Sequence, residues 1–330
     1  MRAWVVRELG GTDRLQLEDV DPGQAPDGMV RIEVKAASIN FFDALIVAGQ
    51  YQNKPDLPFV PGSEVSGAVA TAPPGSGFKP GDRVVALLDN VGLTRGGYAE
   101  VADAHPQSLI KMPDAMSFED AAAFTVIYQT GWFGLHRRAA LQPGETLLVH
   151  AGAGGVGSAA IQLGKAAGAV VIATAGSDEK VEVCRNLGAD HAINYQTGDF
   201  VEEVKRITGG RGADVIFDPV GGDVYDRSTK CIAFEGRVVV VGFTSGRIPQ
   251  APLNHVLVKN YSVVGLHWGL YLRRAPELIP AAMRSLLDLY EAGKIRPHIS
   301  ARFPFESAPA ALDLVAGRKS TGKVIITRSA

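Results

Sequence analysis

The sequence predicts an α/β protein of two domains, one built on a doubly wound parallel sheet and the other rich in short strands. Three observations predict this fold class. The chain has 330 residues, more than one ordinary core holds. Apolar runs alternate with helical stretches from residue 145 onward, and closely spaced strands and turns precede residue 120. An apolar fraction of 46% and a charged fraction of 21% are typical of a globular protein.

Residues 1 to about 120 are expected to form a small, barrel-like β domain. Short apolar or alternating runs separated by Gly, Pro and Asp turns predict its strands. These runs are residues 3–6, 15–17, 30–34, 64–70, 83–87 and 98–101. Ser117 with two acids behind it predicts a helix start, and helical character follows over 121–124 and 129–140.

From residue 145 the pattern alternates strand and helix, as in a doubly wound sheet. The predicted strands are 146–149, 169–173, 191–194, 214–217, 237–241 and 262–265, and the predicted helices are 158–168, 177–187, 200–207 and 224–234. The tail predicts a helix over 276–292, an extended segment over 302–305, a helix over 307–316 and a closing strand over 323–327. We expect this tail to return to the first domain. The domains would then be 1–120 with 266–330, and 121–265.

A glycine-rich turn follows the first strand of the alternating region. Residues 145–157 read ETLLVHAGAGGVG, in which Gly152, Gly154 and Gly157 fit G-x-G-x-x-G. A strand before this motif and a helix after it are typical of a dinucleotide-binding turn. Gly152 allows the tight turn, Gly154 lets the backbone approach a diphosphate, and Gly157 lets the helix pack closely on the strand. The helix N-terminus would hold the phosphates. The alternative is a glycine-rich turn without a ligand.

The second predicted strand indicates which dinucleotide binds. NAD-type sites usually carry an acid at the end of this strand, whereas this strand ends in Thr174, Ala175, Gly176 and Ser177. Small residues leave room for a 2′-phosphate, and Lys180 supplies a countercharge one helical turn later. Asp178 and Glu179 lie in the first helical turn, where acids complement the helix dipole. The sequence therefore predicts NADPH, the alternative being that Lys180 is an ordinary surface lysine.

Bulk properties exclude several other classes of protein. A net charge of −2 without a basic run argues against nucleic-acid and anionic-membrane partners. There is no apolar stretch of about 18 residues, and the N-terminus does not read as a signal peptide. Only Cys184 and Cys231 are present, which excludes a multi-cysteine zinc site and fits a reducing compartment. We expect a cytoplasmic location.

Several segments together resemble the medium-chain dehydrogenase/reductase superfamily, and more narrowly its zinc-free quinone oxidoreductase branch, the zeta-crystallin-like enzymes. They are AGAGGVG at 151–157, GSDEK at 176–180, INY at 193–195, FDPVGG at 217–222, TGKVIIT at 321–327, SINFFDALIVAGQY at 38–51 and LPFVPGSEVSG at 57–67. The resemblance covers nearly the whole chain. It implies a GroES-like β-rich domain, a Rossmann domain, NADPH and a homodimer.

The resemblance also implies which residues line the cofactor. Carried over by position, these are Asn40, Thr130, Gly176, Lys180, Tyr195, Val241 and Arg318, with Gly242, Phe243, Leu266 and His267 on nicotinamide-side segments and Gly155 and Val156 in the phosphate turn. Ser177 joins them at the end of the second strand. The alternatives are that Tyr195 caps the sheet as a half-buried aromatic and that Arg318 is a surface arginine.

The sequence departs from the zinc alcohol dehydrogenases of the same superfamily. Where they carry a G-H-E motif and a cysteine at the metal, this chain has Gly62-Ser63-Glu64 and Asn40, so no metal is expected. Without an electrophilic metal, a conjugated double bond is the easier hydride acceptor. Tyr51 is the candidate proton donor or substrate hydrogen bond, although an aromatic pocket wall is the alternative. Many relatives carry another tyrosine where this chain has Leu45.

We therefore expect NADPH-dependent reduction of quinones, with hydride transferred from the nicotinamide C4. An alkenal, enone or enoyl-thioester reductase using the same site is the close alternative. A non-enzymatic NADPH-binding protein, crystallin-like or redox-sensing, is a further one. The expected partners are a small conjugated carbonyl or quinone and a second copy of the chain, with residues 261–266 as a possible dimer edge.

Overall fold

A computed structural model describes residues 1–52 and 54–328 of the chain. The chain divides into two compact units. The first unit comprises Met1–Thr125 and the chain from Ile299 onward, and the second comprises Val126–His298. No helix within the described ranges is long and apolar enough to cross a membrane.

The strands alternate with helices in the second unit and dominate the first. The strands are β1 Arg2–Val6, β2 Leu15–Asp19, β3 Val30–Ile39, β4 Glu64–Thr71, β5 Arg83–Leu87, β6 Val101–Ala104, β7 Leu109–Lys111, β8 Thr146–Val149, β9 Val170–Ala175, β10 His191–Asn194, β11 Ala213–Asp218, β12 Ile232–Val240, β13 Ser262–Gly265, β14 Ile299–Pro304 and β15 Lys323–Thr327. The helices are α1 Phe41–Val47, α2 Phe118–Ala122, α3 Thr125–Trp132, α4 Gly155–Ala166, α5 Asp178–Asn186, α6 Phe200–Ile207, α7 Gly222–Ser228, α8 Leu253–Lys259, α9 Trp268–Arg274, α10 Leu278–Glu291 and α11 Ala308–Ala316. A π-helical stretch, Phe133–Arg138, continues α3.

The first unit is built on one mixed sheet of order β14-β15-β3-β4-β5-β7, with β6 also paired to β3. Strands β1 and β2 form a separate two-stranded sheet. Strand β15 lies antiparallel to β3, with Val324 opposite Ile39. Apolar side chains from both ends of the chain, such as Ile32, Val65 and Ile326, share its core. Strands β14 and β15 and helix α11 thus belong to the same unit as the start of the chain.

The second unit contains a six-stranded sheet of order β10-β9-β8-β11-β12-β13. All five pairings are parallel. The sheet starts at β8 in its middle and extends first one way and then the other, which is the doubly wound order of Rossmann domains. The predicted α/β fold class is confirmed. Since carboxyl ends of parallel strands share one edge, the turns after β8, β9, β11, β12 and β13 lie at that edge, which we call the carboxyl edge.

The boundaries of the units differ from the predicted ones. The second unit comprises residues 126–298. It therefore includes residues 266–298, which the sequence pattern had assigned to the first domain. The amide of Gln162 on α4 donates to the carbonyl of Arg296 (3.0 Å) and accepts from its N–H (2.7 Å). This paired contact ties the chain after α10 to the parallel-sheet unit. The two partners are 134 residues apart in sequence, so no local sequence pattern predicts this contact.

Two predicted elements are wrong in extent. The helix predicted over 224–234 ends at Ser228, because the chain turns into β12 at Ile232 opposite Ala213. The strand predicted over 98–101 begins only at Val101, although Tyr98 accepts a hydrogen bond from the backbone of Trp4 (2.8 Å). The short helices α1, α8 and α9 are not predicted by the sequence.

Candidate cofactor and acceptor sites

The glycine turn lies between β8 and α4, and the backbone packs so closely there that Gly152 and Gly157 have no room for a side chain. A Cβ on Gly157 would lie 2.2 Å from the carbonyl oxygen of Ala151, so the helix can pass this close only with glycine. A Cβ on Gly152 would lie 2.9 Å from both the Ala173 Cβ and the Cys184 Sγ. Gly154 precedes α4, and the first N–H groups of α4, on Gly155 and Val156, have no carbonyl partner within the helix. Such a turn suits a diphosphate.

His150 anchors the start of this turn. The ring is buried, with Nε2 2.7 Å from the Ser228 hydroxyl and Nδ1 3.0 Å from the Thr174 hydroxyl. Because the Ser228 hydroxyl donates to the Val224 carbonyl (2.6 Å), it accepts from His150, which places the ring proton on Nε2. Burial, followed by the charge of Arg227, lowers the pKa of His150 to about 3. A neutral histidine therefore connects β8, β9 and α7 behind the glycine turn.

Four of the predicted cofactor residues gather at the ends of β9 and β10. Tyr195 follows β10 and lies over Gly176, where a Cβ would be 2.6 Å from the Tyr195 hydroxyl. Ser177 caps α5 by accepting from the Lys180 N–H (3.3 Å), which holds Lys180 in the first turn of that helix. The carboxylate of Asp178 accepts from the Asn194 amide (2.7 Å) and is thus engaged within the chain. The arrangement leaves the basic Lys180 beside an uncharged strand end.

The turns after β11 and β12 form the neighbouring part of the carboxyl edge. Asp218 is buried and accepts from the N–H groups of Val220 (2.8 Å) and Gly221 (2.9 Å), while burial raises the pKa of its carboxyl. Its backbone carbonyl accepts from the Val241 N–H (2.9 Å). Gly242 and Phe243 continue along the same turn: a Cβ on Gly242 would lie 3.4 Å from the Pro219 oxygen, and one on Gly221 would lie 2.8 Å from Phe243.

The turn after β13 and helix α3 complete the second unit's candidate residues. Leu266 is buried and its N–H donates to the Val240 carbonyl (3.0 Å), whereas His267 is exposed at the start of α9. The Trp268 indole donates to the Gln129 amide oxygen (3.3 Å), and Gln129 precedes the buried Thr130 on α3. The predicted cofactor residues of this unit thus lie at the carboxyl edge or on α3, and their contacts to a cofactor stay predictions.

A buried polar cluster in the first unit contains Asn40, which was also predicted to line the cofactor. The Lys323 ammonium donates to the Asn40 Oδ1 (2.6 Å) and lies 3.7 Å from the Glu64 carboxylate. Asp43 accepts from the Asn40 N–H (2.8 Å) and from the hydroxyls of Ser63 (2.9 Å) and Tyr98 (3.3 Å). Burial raises the pKa of the Asp43 carboxyl, and these three donors offset part of that rise.

Tyr51 and Arg318 also lie in the first unit. Tyr51 stacks on Phe42 with ring centroids 5.5 Å apart, and burial, followed by the Asp43 carboxylate, raises the pKa of its hydroxyl. A neutral phenol on an aromatic surface fits the role of a pocket wall as well as that of a proton donor. Arg318 follows the end of α11 with a left-handed backbone, φ 58°.

Sequence reasoning missed three residues that organise these sites: His150, Asp218 and Lys323. Asp218 begins the turn DPVGG, in which two glycines with positive φ allow its carboxylate to reach backbone N–H groups. The spacing of Asp218 from these two glycines could have identified the turn from the sequence. His150 and Lys323 carried none, because their partners are distant in sequence. Within residues 1–52 and 54–328 no group of three or more His, Cys, Asp or Glu could hold a metal ion.

Comparison with known proteins gives a consistent result over the whole chain. Residues 26–114 match the alcohol dehydrogenase GroES-like domain, and residues 155–288 match the zinc-binding dehydrogenase family. A quinone oxidoreductase-like protein 2 homolog of Nematostella vectensis is 39% identical over 98% of this chain and 88% of its own length.

Solved structures give the same result as the family matches and the sequence relative. An Escherichia coli quinone oxidoreductase complexed with NADPH superimposes with a TM-score of 0.90 at 31% identity, covering 99% of this chain and all of that one. The CurK enoyl reductase superimposes with a TM-score of 0.87 at 28% identity, covering 99% of each chain. The chain therefore belongs to the medium-chain dehydrogenase/reductase superfamily, and within it to the quinone oxidoreductase type.

Proposed function

We propose that this protein binds NADPH at the carboxyl edge of the second unit and reduces quinones with it. The observation that carries the proposal is the glycine turn. A Gly157 Cβ would lie 2.2 Å from the Ala151 oxygen, so glycine is needed for α4 to start this close to β8, and the first N–H groups of α4 then suit a diphosphate. Similarity to a quinone oxidoreductase complexed with NADPH supports it. Bound NADPH would supply a hydride from its nicotinamide C4, so that NADPH, quinone and one proton give NADP⁺ and the quinol.

The chain's own residues would bind and orient the two reactants. The first N–H groups of α4 would hold the diphosphate, and Lys180 with Ser177 would hold the 2′-phosphate beside Gly176 and Tyr195. The turns at 241–243 and 266–267 would flank the nicotinamide. In the first unit, Phe42 and Tyr51 offer a stacked aromatic surface for a planar conjugated acceptor.

Reduction of an enone, enal or enoyl thioester is the second candidate function, and the likeness to the CurK enoyl reductase favours it. The same hydride would then add to the carbon β to the carbonyl. A protein that binds NADPH without turnover is the third candidate. The experiment is a titration of the purified protein with NADPH and with NADH, followed by NADPH oxidation with benzoquinone, naphthoquinone, a short enone and crotonyl-CoA.

The expected result is tighter binding of NADPH than of NADH and fastest turnover with a quinone. Preference for the enone or for crotonyl-CoA would replace the quinone assignment with the second function. Bound NADPH without turnover on any acceptor would favour the third. Tighter binding of NADH would contradict the role given to Lys180.

We further propose that two copies of the chain associate along β13. This strand ends the six-stranded order, and an edge strand invites pairing with another chain. Four side chains in the segment between β12 and β13 are large, apolar and at least 69% exposed: Ile248, Leu253, Leu257 and Val258. A twofold pairing of β13 with its copy would continue the sheet and cover such side chains.

A further inference from the structure

Lys323 holds the amide of Asn40 in one orientation. Its side chain is only 3% exposed, and its ammonium donates to the Asn40 Oδ1 (2.6 Å) and to the Ile39 carbonyl (3.4 Å). An ammonium has donors and no acceptor, so the amide oxygen must face it. The amide nitrogen of Asn40 is therefore directed away from Lys323.

The amide nitrogen of Asn40 is buried without a partner. The residue is 6% exposed, and its Nδ2 makes no hydrogen bond to any residue the structure describes. Buried polar groups are normally paired, so a donor held in place without a partner marks a place for an oxygen that comes from outside the chain. Because the ammonium withdraws charge through Oδ1, the Nδ2–H groups become stronger donors.

Burial and the neighbouring carboxylates shift the pKa of Lys323 in opposite directions. Burial lowers the pKa of the ammonium, whereas the carboxylates of Glu64 and Asp43 raise it. Both carboxyl groups are fully buried, so loss of the ammonium would remove the positive charge that favours their ionised forms. The pair Lys323 and Asn40 thus presents a polarised, uncharged donor rather than a free cation.

We propose that Lys323 is a positioning residue that orients and polarises Asn40, whose Nδ2–H donates to the carbonyl oxygen of the conjugated acceptor. This inference rests on the proposed reductase function, and it assigns Asn40 to the acceptor rather than to the cofactor, where the resemblance had placed it. When hydride adds to one end of the conjugated system, the displaced electron pair moves to the carbonyl oxygen at the other end. That oxygen carries the negative charge until water supplies a proton, and NADPH leaves as NADP⁺. A donor aimed at this oxygen stabilises the charge as it develops.

The test uses 4-nitrophenolate, an oxyanion that cannot accept hydride, titrated into the protein saturated with NADP⁺. Asn40→Asp keeps the oxygen facing Lys323 and replaces the donor with an acceptor, and Asn40→Leu removes the donor without adding charge. Both variants should bind the phenolate at least tenfold more weakly and lower kcat about a hundredfold, with the dissociation constant of NADPH within twofold of the wild type. In the wild type, the pKa of bound 4-nitrophenol should fall, and in both variants this fall should disappear.

Lys323 is tested together with Glu64, whose carboxylate lies 3.7 Å from its ammonium, while Asp43 keeps the three donors that already bind it. Lys323→Met combined with Glu64→Gln should weaken phenolate binding about tenfold, and Lys323→Arg alone should retain most of it. Tyr98→Phe is the matched control, since it removes a hydroxyl from the same cluster without touching the amide of Asn40. It should leave phenolate binding unchanged. Circular dichroism and thermal unfolding establish that each variant is folded.

Three outcomes would overturn the inference: phenolate binding that survives both Asn40 variants, an NADPH affinity that falls as much as phenolate affinity, or an equal effect of Tyr98→Phe. A wild type that reduces no acceptor would instead refute the proposed function. The two failures are distinguishable because phenolate binding is measured without turnover.

Discussion

Replacing His150 with glutamine should reduce the loss of stability of the second unit in acid. The pKa of His150 lies at about 3 in the fold, against an ordinary value of 6.5, because the ring is buried between Thr174 and Ser228. The unfolded chain therefore takes up a proton on His150 as the pH falls below about 6.5, while the folded chain does not. This histidine's contribution is complete above that pH and is lost as the pH falls toward about 3.

The size of the effect follows from the two pKa values. Between about pH 7 and about pH 5 the free energy of unfolding should fall by roughly 2 kcal/mol through His150 alone. The full loss, about 5 kcal/mol, would be reached only near pH 3. Glutamine has no proton to gain, and its amide offers both a donor and an acceptor to the same two hydroxyls.

Urea unfolding of both proteins at the two pH values measures the effect. Tryptophan fluorescence is a suitable signal, since Trp132 and Trp268 lie in the second unit. The stability advantage of the wild type over His150→Gln should shrink by about 2 kcal/mol from the higher to the lower pH, whatever the variant's absolute stability. An advantage that stays constant with pH would show that His150 titrates normally and would refute the buried, neutral tautomer.

Three further predictions test the cofactor site and the dimer. Lys180→Ala should raise the dissociation constant of NADPH about tenfold, roughly 1.4 kcal/mol, and leave that of NADH nearly unchanged, as measured by fluorescence titration. Gly157→Ala should abolish NADPH binding and lower the melting temperature, because its Cβ would lie 2.2 Å from the Ala151 oxygen. Gly154→Ala should fold normally and only bind NADPH more weakly, because the nearest atom to its Cβ would be 3.2 Å away. Val263→Lys on the β13 edge should give a monomer in light scattering coupled to gel filtration, with unchanged NADPH affinity.

Controls for these predictions come from comparable positions. Lys205→Ala removes an exposed lysine paired with Glu202 on α6 and should leave both dinucleotide affinities as they are. Val91→Lys, at a half-exposed valine of the first unit, should not change the oligomeric state. Equal losses of NADPH and NADH affinity in Lys180→Ala would contradict selection by the 2′-phosphate. A Gly157→Ala variant that binds NADPH normally would contradict the fit of the turn.

Most of the second unit's sheet was predictable because its signals are local. The strands at 146–149, 191–194 and 262–265 have the predicted bounds, since a short apolar run between turn residues has few other ways to bury itself. Helix α7 was predicted too long, because the strand β12 that interrupts it is stabilised by pairing with β11 rather than by its own residues. The short helices α1, α8 and α9 have too few turns to show a period.

The candidate site was predictable only in part. The sequence by itself determined the glycine turn, the uncharged end of β9 and Lys180 in the first turn of α5, because spacing along one strand, turn and helix is set by backbone geometry. Only the tertiary structure decided that Lys323 meets Asn40, 283 residues away, and that His150 meets Ser228. The reason is that a buried polar group takes its partner from whichever segment the sheet brings beside it, and strand pairing is decided by the packing of the whole core.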